Sequence, residues 1–396
     1  MSFKETRIGD VLTLQRGFDI TKAEQTDGEI PIVSSSGTSS YHNHWKVAGP
    51  GIVIGRKGTL GTTHFLASNF WPHDTTLWVK DFKGNDPKFL YYFLQTLHLE
   101  NFDTGSSNPT LNRNHVHKIT VRFPALLETQ QKIAAILSAY DDLIANNQRR
   151  ITLLERMAED IYREWFVRLR FPGHEHVKIE KGVPQGWEVA SLASLGVYLN
   201  GYAFDPTEWF DDGIPIVKIR ELTSGITADT PRNPGTAIPA RYHFGNDEII
   251  FSWSATLFVK IWDQGPGLLN QHLFKVTPSQ DVSKSFLFFS IKFNLPIFES
   301  LTTGSTMKHI KRKELESVKV LKPVSALIEK FDGLVVPILA KALQLTKTNR
   351  TLAETRDALL PRLISGKLAV DALDIRFPPE MIALLDKKSV MQCPHT

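Results

Sequence analysis

The chain carries one sequence unit twice, and this duplication limits the folds that its 396 residues can adopt. Three matches occur in the same order in both copies: Ile-Pro-Ile-Val at residues 30–33 and 214–217, Phe-Leu-Tyr-Tyr at 89–92 against Phe-Leu-Phe-Phe at 286–289, and Thr-Gly-Ser at 104–106 and 303–305. In each copy, short β-branched and aromatic runs alternate with Gly, Pro, Asn and Asp. The predicted fold class is therefore α+β, as a tandem duplication of a unit of about 200 residues.

Composition restricts the class of protein further. Hydrophobic residues make up 42% of the chain and charged residues 22%, as in ordinary globular proteins. The single cysteine, Cys393, excludes a disulfide framework and a cysteine-rich zinc site. No run approaches the roughly 18 apolar residues of a membrane helix, and the N-terminus lacks the apolar core of a signal peptide. The protein is predicted to be cytoplasmic, and its net charge of +4 permits a nucleic-acid partner without requiring one.

A long helical pattern closes each copy. Residues 127–166 contain no proline or glycine, and their apolar residues recur at alternating steps of four and three, which is typical of a coiled-coil seam. The first seam is Ile133, Leu137, Tyr140, Ile144, Asn147, Ile151, Leu154, Ala158, Ile161 and Trp165. The second seam is Phe331, Val335, Ile338, Ala342, Leu345, Asn349, Leu352, Arg356, Leu359 and Leu363, with Pro337 and Pro361 expected to kink or fray its helix.

The two helices are predicted to pair with each other, because a lone helix with such an apolar stripe is not stable in water. An antiparallel coiled coil of about 60 Å would place the two globular units at opposite ends, related by an approximate twofold axis. Asn147 is the polar residue in the first seam, and a buried Asn at such a position fixes the register of the helices.

These patterns divide the chain into six segments. The first globular unit spans residues 1–125 and the first long helix residues 126–168. A linker with Pro, Gly and mixed charge spans residues 169–184. The second globular unit follows at residues 185–326, the second long helix at 327–369, and a tail at 370–396.

The sequence contains no complete catalytic or metal-binding motif of a common kind. The glycine-rich residues 55–61 lack the Gly-Lys-Ser/Thr ending of a phosphate-binding loop. Three His-x-His pairs occur, at residues 42/44, 115/117 and 174/176, but no third ligand stands at a recognisable distance from any of them. The chain is therefore predicted to be non-catalytic, with no metal and no cofactor of its own.

The two copies share their framework and differ at their loops, which suits two readers of different DNA half-sequences. Surface drift explains the same pattern equally well. In the first copy, the candidate DNA-binding residues are Ser34, Ser35, Ser36, Tyr41, His42, Asn43, Arg56, Lys57, Thr59, Asn108, Asn112 and Arg113. In the second copy, they are Lys218, Arg220, Trp253, Ser254, Thr256, Lys308, Lys311, Arg312 and Lys313.

Several short motifs, taken in their order, resemble the specificity subunit of type I restriction-modification systems. They are Glu-Thr-Gln-Gln-Lys-Ile at 128–133, Asn-Gln-Arg-Arg-Ile at 147–151, Tyr-Arg-Glu-Trp-Phe at 162–166, Phe-Pro-Gly-His-Glu at 171–175, Pro-Gln-Gly-Trp at 184–187 and Leu-Leu-Pro-Arg-Leu-Ile-Ser-Gly-Lys-Leu at 359–368. The resemblance spans about residues 1–370. One departure is that the first copy lacks the Pro-x-Gly-Trp entry of the second copy.

The resemblance implies two target-recognition domains separated by two long helices, which read a bipartite, asymmetric double-stranded DNA target. It also implies that the helices dock two methyltransferase subunits and that restriction-translocase subunits join the complex. S-adenosylmethionine, ATP and Mg²⁺ are then expected on those partners and not on this chain.

Two alternatives remain open at this stage. One is a self-sufficient DNA-modifying or DNA-cleaving enzyme with an unrecognised active site. The other is a coiled-coil scaffold that binds only protein. The lack of a recognisable catalytic motif counts against the first alternative, and the Arg and Lys residues in the loops count against the second.

Overall fold

The structure is a computed structural model that describes residues 2–102, 110–301, 310 and 312–377. The contacts divide the chain into two compact units. One unit combines residues 1–147 with the residues from 348 onward, and the other comprises residues 148–347. Each unit therefore holds one globular domain and part of both long helices.

The first copy begins with a domain of short strands and helices and ends in a long helix. Its elements are β1 (Phe3–Arg7), α1 (Ile8–Val11), β2 (Thr13–Arg16), β3 (Ile30–Ser34), β4 (Gly37–His42), β5 (Gly51–Gly55), β6 (Thr63–Leu66), β7 (Trp71–Pro72), β8 (Thr76–Asp81), α2 (Pro87–Gln95), α3 (Arg113–Lys118), β9 (Thr120–Pro124) and α4 (Leu127–Tyr162). A π-helical turn, Arg163–Val167, follows α4.

The second copy has the same kind of content. Its elements are β10 (Ile179–Glu180), β11 (Val183–Pro184), β12 (Glu188–Ser191), β13 (Gly196–Asn200), β14 (Ile214–Val217), α5 (Ile219–Ser224), β15 (Arg232–Asn233), β16 (His243–Phe244), β17 (Ile249–Ser252), β18 (Phe258–Ile261), β19 (Gly267–Leu269), β20 (Leu273–Pro278), α6 (Lys284–Leu301), α7 (Arg312–Ser317), β21 (Lys319–Lys322) and α8 (Ser325–Ile364). In the described part of the chain, no helix has the length and hydrophobicity needed to cross a membrane.

Both domains have the same strand order in their main sheet. The first domain has a four-stranded sheet in the order β2-β8-β5-β6, and the second domain has one in the order β13-β20-β17-β18. An antiparallel pair, β1 with β9 and β12 with β21, joins the two ends of each domain. The remaining sheet differs, because β4 forms a hairpin with β3, whereas the helix α5 follows the equivalent strand β14. The two domains thus have the mixed helix and sheet content and the matching main sheets that a tandem α+β duplication predicts.

Matching backbone hydrogen bonds reproduce the duplication at atomic detail. The amide of Gly17 donates to the carbonyl of Thr76 at 3.0 Å, and that of Gly201 donates to Leu273 at 3.1 Å. A Cβ on Gly17 would lie 2.1 Å from the carbonyl oxygen of His73, and one on Gly201 would lie 2.1 Å from that of Asn270. Glycine is thus required at the same point of both domains, because two chain segments cross without room for a side chain.

The substitution Gly201→Ala tests this close approach. The new Cβ must displace the backbone at Asn270, so we expect a loss of about 1–3 kcal/mol of stability, as for other overpacked sites. Gly245→Ala is the matched control, because nothing lies within 4 Å of its added Cβ. Thermal unfolding monitored by circular dichroism should show a lower melting temperature for Gly201→Ala alone, and equal melting curves would contradict the prediction.

In the first unit, the start of α4 and the end of α8 belong to the domain core. Ile133 and Leu137 of α4 and Leu363 of α8 are buried in one cluster with Phe89 and Phe123. A polar link adds to this packing: the hydroxyl of Tyr92 on α2 donates to Asp141 on α4, and the same carboxylate accepts from Arg356 on α8. Burial and the bond to Asp141 raise the pKa of Tyr92.

In the second unit, the end of α4 and the start of α8 take the equivalent place. Tyr162 of α4, Phe331 and Val335 of α8, and Phe286 and Phe289 of α6 are buried in one aromatic cluster. The Tyr162 hydroxyl donates to Ser290 at 3.1 Å, so its polar atom is satisfied inside the core. Since the start of each long helix packs with the end of the other, the two helices run antiparallel within each unit.

The segments that follow the two long helices each place one side chain in a domain core. Phe171, in the predicted linker, is buried against Trp187, and Val370, in the predicted tail, is buried in the first core. Both segments are anchored because an aromatic or branched side chain fills a core position. Helix α8 also runs unbroken through Pro337, since buried residues on both sides hold it, as tertiary packing commonly overrides propensity.

The predicted seam residues are all buried or half-buried. Near its middle, the seam contains a polar layer formed by one asparagine from each helix. Nδ2 of Asn147 donates to Oδ1 of Asn349 at 2.9 Å, and Nδ2 of Asn349 donates to the carbonyl of Ile144 at 3.2 Å. The adjacent layer is apolar and consists of Ile151, Leu154, Ala342 and Leu345. The predicted role of Asn147 in fixing the register thus has a specific partner.

Loss of the Asn147 amide should destabilise the helix pair. Asn147→Ala leaves Asn349 without its side-chain partner, and we expect a cost of about 1–3 kcal/mol, typical of a buried polar group left unsatisfied. Asn146→Ala is the control, because Asn146 is the exposed neighbour on the same helix. A thermal unfolding series of the two variants would contradict the interpretation if both unfolded at the same temperature.

Candidate nucleic-acid interface

The β3–β4 hairpin of the first domain carries six of the predicted contact residues. Tyr41 is 57% exposed, and Ser36 and Asn43 are also exposed. Ser34 is half-buried and donates to Gly37. In contrast, Ser35 and His42 are buried: the hydroxyl of Ser35 donates to the carbonyl of Thr75, and Nδ1 of His42 accepts from the amide of Thr26. The last two therefore hold the hairpin in place, and the exposed candidates on it are Ser36, Tyr41 and Asn43.

The loop after β5 and the start of α3 meet in the first domain. The carbonyl of Arg56 accepts from the amide of Leu111 at 3.0 Å, and the amides of Arg56 and Lys57 both donate to the carbonyl of Thr75. This contact brings together side chains that are distant in sequence. A cleft of about 390 Å³ results, lined by Arg16, Arg56, Leu77, Thr110, Leu111, Asn112 and Arg113. Lys57 and Thr59 are exposed beside it.

Arg16 belongs to this cleft although the sequence did not single it out. Its guanidinium donates to Asp74 at 2.7 Å. Burial raises the pKa of Asp74, but the hydrogen bond from Arg16 and the neighbouring positive charges outweigh burial, so the pKa lies below its usual value. Burial and the charge of Arg16 lower the pKa of Arg56. The cleft thus collects three arginines, and the carboxylate of Asp74 is bonded to one of them at its edge.

The second domain fills the equivalent place differently. Trp253 follows β17 as Arg56 follows β5, and its carbonyl accepts from Ile310 at 2.9 Å, as that of Arg56 does from Leu111. The indole Nε1 donates to Oδ1 of Asn200, and the ring packs 5.7 Å from that of Phe274. Ser254 is buried and bonded to His272, whereas Thr256 is exposed. An aromatic side chain therefore lies where the first domain has its cationic cleft.

Lys218 and Arg220 lie at the start of α5. The ammonium of Lys218 sits 3.6 Å from the centre of the Trp209 ring, and burial lowers the pKa of Lys218. Arg220 is exposed and donates to the buried Glu221 at 2.9 Å. Trp209 is 42% exposed, so it adds an aromatic surface that the sequence analysis missed. A charged residue beside an exposed ring suits contact with a polyanion.

The remaining candidates near α7 are only partly described. Lys313 is exposed on α7. Of Arg312 only the backbone position is described, at the first residue of the helix. Asn108, Lys308 and Lys311 lie outside the described residues. In the first domain, Asn112 caps the short helix α3 by accepting from the amide of Asn114, and Arg113, the first residue of that helix, is exposed.

The predicted histidine pairs do not form a ligand set among the described residues. Nε2 of His117 accepts from the amide of Leu14 at 2.9 Å, and burial lowers its pKa. A different group, Asp19, His73 and Asp74, has ligand atoms within 4.8 Å of one another. Because Asp74 is bonded to Arg16, this cluster is better explained as part of the cationic cleft.

Comparison with known proteins decides the family. Residues 2–156 and 184–329, which together make up most of the chain, match the type I restriction modification DNA specificity domain. The chain belongs to this family. Each matched range falls within one copy of the sequence repeat, so each copy carries one specificity domain.

Individual relatives agree with the family. The chain is 28% identical over 304 residues to the type I restriction enzyme MjaIX specificity subunit of Methanocaldococcus jannaschii, covering 72% of this chain and 70% of the relative. It is 23% identical over 329 residues to the HindI specificity subunit of Haemophilus influenzae, covering 66% of this chain and 71% of the relative. The crystal structure of the type I system S subunit from M. genitalium has the same fold, with a TM-score of 0.58, 17% identity and coverage of 92% of this chain and 96% of that one.

These findings confirm the resemblance and the tandem fold. They also confirm the predicted function, that of a DNA specificity subunit of a type I restriction-modification system, as opposed to a catalytic subunit. Which side chains contact DNA stays a prediction. Among the candidates that the structure describes, the accessible ones lie on the β3–β4 hairpin, in the cationic cleft, and around Lys218, Thr256 and Lys313.

Proposed function

We propose that the two specificity domains each read one half of a split, asymmetric sequence in double-stranded DNA. The observation that carries this proposal is the contrast between shared backbone and different loops. The same amide-to-carbonyl bonds hold the loop of Arg56 in the first domain and that of Trp253 in the second. A common scaffold with different side chains at its tips is suited to recognise two different base sequences.

The long helices supply the second part of the proposal. Two methyltransferase subunits dock on α4 and α8, and restriction-translocase subunits join them. S-adenosylmethionine, ATP and Mg²⁺ bind to those partner subunits. The sites of this chain hold none of these cofactors, and the complex works in the cytoplasm. Two exposed apolar side chains on α4 support a docking role, because Leu153 and Met157 lie one turn apart on the same face of the helix.

A genome-wide map of N6-methyladenine tests the recognition function. Cells that express the partner methyltransferase are compared with and without this chain. We expect one split, asymmetric motif to lose its methylation when the chain is deleted, because the methyltransferase then has no sequence reader. An unchanged map in a strain whose methyltransferase is shown to be active would contradict the proposal.

Segment exchange tests the independence of the two readers. Residues 37–46 of the first domain are replaced by the corresponding segment of a family member with a different target, and residues 219–233 of the second domain are exchanged in a separate variant. Each exchange should alter one half of the methylated motif and leave the other half intact, so each variant is the control for the other. Alteration of both halves by either exchange would exclude two independent readers.

A further inference from the structure

The cationic cleft of the first domain gathers more positive charge than the fold needs. Three guanidinium groups, those of Arg16, Arg56 and Arg113, line one cavity of about 390 Å³. Among the carboxylates described, Asp74 bonds to one of them, Arg16. Arg16 and Arg113 are exposed, whereas Arg56 is half-buried, so the repulsion between like charges is screened least at Arg56.

Arg56 shows this cost most clearly. Its backbone is fixed on both sides, by Thr75 and by Leu111. Its Nη1 atom is buried and has no hydrogen-bond acceptor in the described part of the chain. A buried donor without an acceptor is rare in folded proteins and calls for a specific explanation. Burial and the charge of Arg16 also lower its pKa, which is a sign that the charged form is disfavoured here.

The second domain indicates that the scaffold does not require this charge. At the equivalent position, Trp253 covers Phe274 and bonds to Asn200, and the loop keeps the same backbone contact. An aromatic side chain can thus occupy this position, with the loop backbone unchanged and the indole N–H hydrogen-bonded. The framework therefore does not need the charge of Arg56 at this position.

We propose that this cleft binds a backbone phosphate of the DNA and anchors the first domain, an inference that rests on the proposed function. A phosphate carries the negative charge that three guanidinium groups need, and its oxygens accept several charge-assisted hydrogen bonds. A base edge carries no net charge and offers one arginine two acceptors at most. The anchor is confined to the first domain, and it positions that domain without specifying sequence.

The test uses the full chain assembled with its methyltransferase partner and a short duplex that carries the methylated motif. Arg56→Met removes the charge and keeps an unbranched, flexible side chain. We expect about tenfold weaker binding to cognate and non-cognate duplexes alike, and a slope of log affinity against log salt that is smaller by about 0.9. The melting temperature of the free protein should not fall, because an unpaired buried donor has been removed.

Two further variants sharpen the result. Arg56→Lys keeps the positive charge, so it should retain most of the affinity and the same methylated motif, since a phosphate contact tolerates lysine where bidentate guanine recognition does not. Lys80→Gln removes one exposed charge from β8 outside the cleft and controls for net charge. It should leave affinity and salt slope close to those of the parent protein.

Specific outcomes would overturn the assignment. A changed preference at individual base pairs in Arg56→Met or Arg56→Lys would make Arg56 a base reader. An unchanged salt slope, with or without a lower melting temperature, would make it a structural residue. A parent complex with no preference for any sequence would contradict the proposed function instead, and the salt slope on a non-cognate duplex would still decide the cleft, because every duplex has phosphates.

Discussion

The burial of the long helices in the domain cores is the constraint on which the rest of the structure depends. Ile133 and Leu137 of α4 and Phe331 and Val335 of α8 are fully inaccessible to solvent, and each lies among aromatic residues of a globular domain. Helices in proteins gain most of their stability from such packing and little from intrinsic helix propensity. Neither domain core is complete without helix residues from both copies of the repeat, so the two copies depend on each other to fold.

Within that constraint, the duplicated framework separates stability from specificity. The loop contacts of Arg56 and Trp253 are made by backbone atoms, so they tolerate different side chains. The crossing at Gly17 and Gly201, in contrast, requires glycine in both copies. The side chains at the loop tips are then free to diverge between the copies. The residue after β5 is Arg56 of the cationic cleft, whereas the residue after the equivalent strand β17 is Trp253, whose ring packs on Phe274.

The sequence reveals those features that are periodic or repeated. The repeat predicts two similar domains, and the spacing of four and three predicts which residues of α4 and α8 are buried. It does not reveal that Asn147 meets Asn349, because the register of two helices depends on packing at their ends. Arg16 was missed because β2 and β5 come together only through β8, a strand order that local sequence does not encode. In the sequence, Ser35 and His42 look like exposed polar residues of a loop, but both side chains are buried in the structure.

The polar layer has a consequence for the choice of pairing partner. In the two seams, Asn147 corresponds to Leu345, and Ile151 corresponds to Asn349. If α4 paired with another copy of α4 in the same register, each Asn147 would face Ile151 and lose its amide partner, and α8 with α8 would set Asn349 against Leu345. Only α4 with α8 places amide against amide and Ile151 against Leu345. A polar group buried against an apolar one costs more than the polar pair contributes, so this layer opposes association between like helices. The duplication makes wrong pairings geometrically available, and the asymmetric placement of two asparagines penalises them.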